Sequence, residues 1–416
     1  MDKLSYNIER SENRMKKGSW NSANLEFVQE SNRSLVLNVL RNKGPISRAD
    51  ISKTTGLSPT TVGYAISNLL ENNLAKETGA GVSNGGKRPI LVEFNPKGRH
   101  IIALLVNEFK ITYAITDLNA DLEMMEEVDL KGSKGDEAVD ILINTIGQVL
   151  QKAVRSDMNP LGISIGISGI VNSKTGEVLY SANLHWNHLK LKNILEKQFT
   201  MDIFVIHDMN AAVYGEKFYR PDINVSNLLY VMIGKRIGAG MIIDNKIFEG
   251  HNGSALEFGH MSINTVDRKC QCGNYGCITE YVSELSVIEK MAEEIRKGRK
   301  TSFNGADITI DAMIQGVAQG DALATEIVRE AAFNLSVGIT NLVNLFNPEM
   351  IVITGEGLVT SEYYFQELKE NVFKMALKTA TADLIISRGL VEQPFLKGLA
   401  AIAIEANFEL PQVQIE

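Results

Sequence analysis

All three cysteines of this 416-residue chain fall within eight positions, in Cys270-Gln271-Cys272-Gly273-Asn274-Tyr275-Gly276-Cys277, ten residues after the pair Gly259-His260. Taken with His260, the spacing reads H-x9-C-x-C-x4-C. One imidazole and three thiolates are the donor set of a closed tetrahedral zinc site; four protein ligands leave no position for an activated water, so the expected zinc is structural. Three thiols so close together do not make a disulfide framework, and a redox-sensing thiol cluster, or buried cysteines with an unrelated histidine, are the alternatives that spacing alone leaves open. Gly273 and Gly276 supply the backbone freedom that so tight a loop needs.

The chain that must position this cluster is long enough for two or three cores. Its opening residues, MDKLSYNIERSENRMKKGSW, lack the apolar centre of a secretory signal. No stretch approaches the roughly 18 apolar residues of a membrane span, so a cytoplasmic protein with no membrane partner is expected. Charge is unevenly spread: residues 1–98 hold 14 Lys and Arg against 9 Asp and Glu, a net +5, and the remainder carries −13. An acidic body repels polyphosphate, so any contact with nucleic acid is assigned to the basic head.

Within the head, an extension over 1–29 precedes a compact segment over 30–95. Leu35, Val36, Val39 and Leu40 recur at helical spacing, and Gly44-Pro45 ends that helix. Ser47 can cap a second helix that closes at Gly56, and Ser58-Pro59 supplies a cap and a first-turn proline for a third reaching about Asn72. On the third helix Val62, Ile66, Leu69 and Leu70 form an apolar face, leaving Thr60, Thr61, Gly63, Tyr64, Ser67 and Asn68 outward. Such a polar, nearly uncharged face suits a helix reading base edges in a major groove. The strand-like LAKET and ILVEF, joined by the basic GAGVSNGGKRP, then form a hairpin wing with Lys87 and Arg88 near its tip, placed to reach phosphates or the minor groove. A winged helix-turn-helix DNA-binding domain is expected; a helical module that binds protein is the alternative. Ser58, Thr60, Thr61, Tyr64, Asn68, Lys87 and Arg88 are its candidate DNA contacts.

From about residue 100 to 410 strands and helices alternate, the pattern of α/β layers. HIIALLV and KITYAITDL open one half, and NLLYVMIG and GAGMIIDNKIFEG, with an Asp244-Asn245 turn, open another. Helices are expected at about 138–154, 279–298, 321–347, 361–378 and 395–406. The duplicated opening implies two lobes, about 100–210 with 395–410 and 211–394, and a cleft between lobes is a common place for a small ligand.

The combination of LEFGH, CQCGNYGCITEY, IHDMNAAVYGE and IGKRIGAG resembles the ROK family of repressors, open reading frames and sugar kinases. With the winged helix in front, the chain is similar to its repressor branch, that of the xylose and N-acetylglucosamine repressors. The resemblance covers about residues 30–405 and implies a two-lobed actin-like body, a zinc-braced loop and a sugar effector. It implies that Asn183, Asp208, Asn210, Glu257, His260 and Glu280 line the sugar site, carboxylates and amides being the groups that pair with hydroxyls. His207 stands where the family has asparagine, which alters one sugar contact.

The same resemblance implies loss of catalysis. Kinases of the family carry Asp-x-Gly-Gly-Thr at the first hairpin, where this chain has Val106-Asn107-Glu108-Phe109-Lys110, and Gly-Thr-Gly-Ile-Gly where it has Gly234-Lys235-Arg236-Ile237-Gly238. Phosphoryl transfer rests on backbone amides and metal holding the phosphates. The expectation is a non-enzymatic, sugar-responsive repressor controlling a carbohydrate operon, xylose being the effector implied by overall resemblance. It would act as a homodimer or homotetramer on paired operator half-sites about 34 Å apart. An active sugar kinase with a fused DNA-binding head, and a repressor governed by a protein partner with a vestigial sugar cleft, are the competing readings.

Overall fold

The computed structural model describes residues 20–80, 88–220, 222–266, 268–303 and 308–408. In the head, helix α1 (Trp20–Lys43) leads through strand β1 (Ile46–Ser47) to α2 (Arg48–Thr55) and α3 (Pro59–Glu71). Strands β2 (Ala75–Ala80) and β3 (Ile90–Phe94) follow. The caps are those the serines imply: Ser47 Oγ accepts from the Asp50 amide at 3.2 Å and Ser58 Oγ from the Thr61 amide at 3.1 Å, while Gly56, at φ 73°, closes α2. Helix α1 starts fifteen residues before Leu35, the first of its apolar repeat, and no glycine or proline interrupts the chain between Gly18 and Gly44. Val36, Leu37, Leu40, Ile51, Val62, Ile66, Leu69 and Val92 are buried together as the head's core; Leu70 is only half-buried. The wing strands pair antiparallel, Ala75 opposite Phe94, and β1 adds along the other edge of β3.

The join to the body is itself hydrogen-bonded. The Asn95 amide donates to Leu74 O at 3.0 Å, Asn95 Nδ2 donates to Asn73 O at 3.0 Å, and the Leu118 amide donates to Pro96 O at 3.0 Å.

The chain divides into two units, one running to Asp208 and resuming at Leu396, the other spanning Met209–Phe395. In the first unit β4 (His100–Val106) and β5 (Lys110–Thr116) form a hairpin continued by β6 (Leu122–Asp129). Helix α4 (Gly135–Arg155) buries Ala138, Val139, Leu142, Ile146 and Val149 along one stripe, and β7 (Pro160–Ile167) returns parallel to β4. Three short strands, β8 (Ile170–Asn172), β9 (Glu177–Ser181) and β10 (Trp186–Leu189), make a separate small sheet. After α5 (Leu191–Glu196), β11 (Asp202–His207) completes the main sheet, order β11-β7-β4-β5-β6.

Helix α6 (Asp208–Tyr219) then opens the second unit's sheet, order β14-β13-β12-β15-β16, from β12 (Leu228–Ile233), β13 (Ile237–Ile243), β14 (Lys246–Ile247), β15 (Met350–Gly355) and β16 (Ile385–Arg388). Its opening repeats the first: an antiparallel hairpin whose leading strand pairs parallel with a later one. The helices are α7 (Thr279–Val282), α8 (Glu284–Arg296), α9 (Ile310–Ala318), α10 (Ala322–Phe346), α11 (Glu362–Met375) and α12 (Pro394–Phe408). The single helix expected over 279–298 is thus two. Ser283 is extended, and its Oγ accepts from the Ser286 amide at 3.3 Å, so a capping side chain overrides continuous helical periodicity.

Asp321 shows how one carboxylate organises the second unit. Its Oδ1 accepts from the Ala324 amide at 2.8 Å, and its Oδ2 accepts from the Ser302 amide at 2.6 Å and from Thr301 Oγ1 and Ser302 Oγ at 2.8 Å each. Burial alone would raise its pKa, but these donors outweigh it and hold the group at about 2. Because the folded-state value lies below that of the unfolded chain, the stabilisation is present above about pH 4 and is lost as pH falls toward 2. Asp321→Ala is expected to lower stability by about 1–2 kcal/mol at neutral pH. The deficit, read by denaturant unfolding, should shrink across that acid window.

Candidate functional site

The ligand atoms of His260, Cys270, Cys272 and Cys277 all lie within 4.8 Å of one another. Cys270 Sγ is 3.6 Å from His260 Nδ1, and Cys272 Sγ is 3.6 Å from Cys277 Sγ. A tetrahedral ion with bonds of about 2.3 Å to sulfur and about 2.0–2.1 Å to nitrogen requires edges of about 3.5–3.8 Å, which these pairs match. The four side chains can therefore hold a metal ion with little rearrangement. Burial pushes the Cys270 thiol up to about 12 and raises Cys277, whereas the Asn274 amide lowers Cys272. Buried thiols of this kind become thiolates when a cation supplies the compensating charge.

The loop has little regular structure, so its shape comes from specific contacts. His260 closes a 3-10 turn, Phe258–His260, whose Phe258 is buried. A Cβ on Gly259 would stand 2.5 Å from Ile237 O, so glycine is what lets the turn lie on β13. The amides of Ile263 and Ile278 donate to Gly276 O and Met261 O at 2.9 Å each, and the Cys270 amide donates to Asn274 O at 2.8 Å. Gly276 has φ 70°, and a Cβ there would fall 1.3 Å from Asn264 O, so the position is closed to every other residue. Arg268, which the sequence reading passed over, donates to Glu280 O and lies 4.9 Å over the Tyr281 ring. An arginine two positions before a cysteine has no signal of its own; only its partner on α7 gives it a role.

The six residues implied for a sugar are shared between the units. Glu257 and His260 bracket one turn, with the His260 amide donating to Glu257 O at 2.9 Å, and Glu257 is exposed. Glu280 lies on α7 and interacts with Cys270. Asn210 is buried in α6, its Nδ2 3.5 Å from Glu249 Oε1. In the first unit, Asp208 follows β11 and its Oδ1 is 3.3 Å from His207 Nε2. Asn183, half-buried, sits between β9 and β10.

Both hairpins that could cradle phosphates are engaged internally. In the first, Asn107 Oδ1 accepts from the Phe109 amide at 2.9 Å and the Lys110 amide at 3.0 Å. In the second, the Gly234 amide donates to Arg236 O at 3.1 Å, and Gly234 O accepts from the Glu284 amide at 3.0 Å. Burial, with Glu356 nearby, raises the Glu284 carboxyl, and Lys235 acts against that rise. Lys235 is therefore in the field of the acidic body.

On α3, Tyr64 is 77% exposed, and Thr60 and Ser67 are exposed beside it. Ser58 Oγ and Thr61 Oγ1 lie 2.9 Å apart at its N-terminus, and Asn68 Oδ1 is 3.5 Å from Arg33 Nη1 of α1. Arg88 is exposed just before β3; Lys87 lies outside the described residues.

A winged helix-turn-helix ahead of an actin-like α/β body defines a DNA-binding regulator. Residues 103–406 match the ROK family and residues 30–76 match a winged helix-turn-helix DNA-binding domain, and the chain belongs to the ROK family. It is 31% identical over 395 residues to the xylose repressor of Caldicellulosiruptor bescii, covering 94% of this chain and 99% of that protein. Among solved structures, a ROK family transcriptional regulator homologous to the Escherichia coli MLC protein aligns with a TM-score of 0.81 at 25% identity, covering 92% of this chain and 97% of that one. A ROK family glucokinase from Streptomyces griseus, solved with glucose and AMPPNP, shares the fold at a TM-score of 0.61 and 22% identity, covering 73% of this chain and 98% of its own.

Gly276→Ala is expected to displace the Asn264 carbonyl and break the metal centre, and Cys272→Ser to remove one of its ligands. Elemental analysis of the purified variants should show metal reduced well below one ion per chain. Unchanged stoichiometry in both would mean that these four side chains are not the ligands.

Proposed function

We propose that this protein is a transcriptional repressor whose hold on operator DNA is set by a sugar bound to its ROK body, xylose or a related pentose being the first candidate. The observation that carries the reading is the first hairpin. Its tip amides are consumed by the Asn107 carboxamide, while the head presents a recognition helix with Tyr64 outward. Backbone amides that bond within their own turn do not hold a triphosphate, so the body binds without phosphorylating. A body that cannot turn over its ligand is suited to report occupancy.

In this reading Ser58, Thr60, Thr61, Tyr64 and Asn68 face the major groove, and Lys87 and Arg88 on the wing reach phosphate or the minor groove. Asn183, Asp208, Asn210, Glu257, His260 and Glu280 hold the sugar hydroxyls. Structural zinc on His260, Cys270, Cys272 and Cys277 orders the segment presenting Glu257 and Glu280, coupling the loop's folding to its use. The imidazole serves the metal through one nitrogen and leaves the other for the ligand. Two heads of a homodimer or homotetramer engage paired half-sites, and the protein acts in the cytoplasm, where the operator is. The sugar changes DNA affinity only so far as it binds two states of the body unequally.

His207 departs from the family's asparagine. Its Nε2, 3.3 Å from Asp208 Oδ1, holds the carboxylate that in the kinases serves as general base, turning that group toward gripping a hydroxyl.

Electrophoretic mobility shift with the chain's own upstream DNA, with and without xylose, tests the main claim; affinity that no sugar alters would overturn it. Arg88→Ala should weaken binding to all sequences alike and reduce the salt slope by about 1. Tyr64→Ala should change sequence preference instead, read by selection from a randomised pool. A coupled assay with ATP and a panel of pentoses and hexoses should yield no ADP. Turnover abolished by Asp208→Asn would establish a kinase in place of a repressor.

A further inference from the structure

The first unit contains a cavity of about 560 Å³ beside the β4–β5 hairpin, within the range of small-ligand pockets. One wall is Phe109, which is 59% exposed. Its backbone is pinned on both sides: the amide donates to Asn107 Oδ1 at 2.9 Å, and the carbonyl accepts from the Leu130 amide at 2.8 Å. An aromatic ring held out on a rigid turn is a preformed platform, and burying its face is favourable.

The groups around it choose the ligand. Asn183, Glu108, Asp129 and Lys134 line the same cavity. Lys110 and Glu127 complete it as an ion pair at 2.5 Å, so the lining holds two ammonium groups against three carboxylates, a net charge of −1. A phosphorylated ligand meets net repulsion there. A molecule with an apolar C–H face and a rim of hydroxyls finds an aromatic surface for the first and carboxylate and amide partners for the second.

We propose that this cavity binds an unphosphorylated, neutral saccharide, one pyranose face stacked on Phe109 with its hydroxyls directed to Asn183, Asp129 and Glu108. The inference rests on the sugar-responsive reading and deepens it. The hairpin that in a kinase would serve phosphate here serves carbohydrate, and Phe109 becomes a determinant of effector class.

Calorimetry on the full zinc-loaded chain tests this with a panel of neutral pentoses and hexoses, their oligosaccharides and glucose 6-phosphate. A neutral saccharide should bind wild type and bind Phe109→Ala about tenfold or more weakly, the worth of an aromatic face. Phe109→Tyr should stay within about twofold, and sugar-free operator affinity should be the same in all three proteins. Equal affinity in wild type and Phe109→Ala, or glucose 6-phosphate binding more tightly than glucose, overturns this inference alone. Failure of every panel member to bind wild type sinks the sugar-responsive reading, and this one with it.

Discussion

The convergence of four soft donors on one point governs the functional half of this protein. Among the described residues, the segment from β14 to α7 holds a single 3-10 turn and two isolated bridges, so no sheet or longer helix dictates their path. Backbone contacts such as those from the Ile263 and Ile278 amides set that path, and it brings His260 together with Cys270, Cys272 and Cys277 above Phe258 and Ile278 in the second unit's core. Helix α10 accommodates them with Gly338, where a Cβ would stand 2.4 Å from Ile278 Cδ1. A loop of this kind has a large conformational entropy to lose, and a metal with four protein ligands is an effective way to offset it. Glu257 and Glu280 lie on the segments that flank the cluster.

The two units of the body open on the same plan. Each unit opens with an antiparallel hairpin whose leading strand pairs parallel with a later one. At the tip of the first hairpin Asn107 Oδ1 accepts from the amides of Phe109 and Lys110, so those two donors bond within their own turn. The basic head and acidic body then divide the labour electrostatically: one seeks phosphate, the other repels it.

Much of this was legible in the order of residues. The head's helices could be read because their punctuation is local: Ser47, Gly56, Ser58 and Pro59 act on neighbours within four positions. The His/Cys cluster could be read because thiolate and imidazole donors are chemically specific and close in sequence. Legibility failed where a local competitor or a distant partner intervened. Ser283 divides a periodic stretch into α7 and α8. The short strands β8 to β10 are too brief for alternation to register, although Trp186, buried with its indole N–H donating to Gly135 O at 2.9 Å, anchors one of them. Arg268 carries no pattern at all, since its partner Glu280 is twelve positions away and is engaged through a backbone carbonyl.

Sequence by itself determined the modules, their order and the donor types of the His/Cys cluster, because each depends on residue identity over short separations. Tertiary structure alone decided that the four donors come within bonding distance of one ion, that Gly276 must lie beneath the Asn264 carbonyl, that Asn107 consumes its hairpin's amides, and that Phe109 stands exposed over a cavity with Asn183. Those facts depend on which distant backbones approach one another, and packing sets that approach after local preferences have been satisfied.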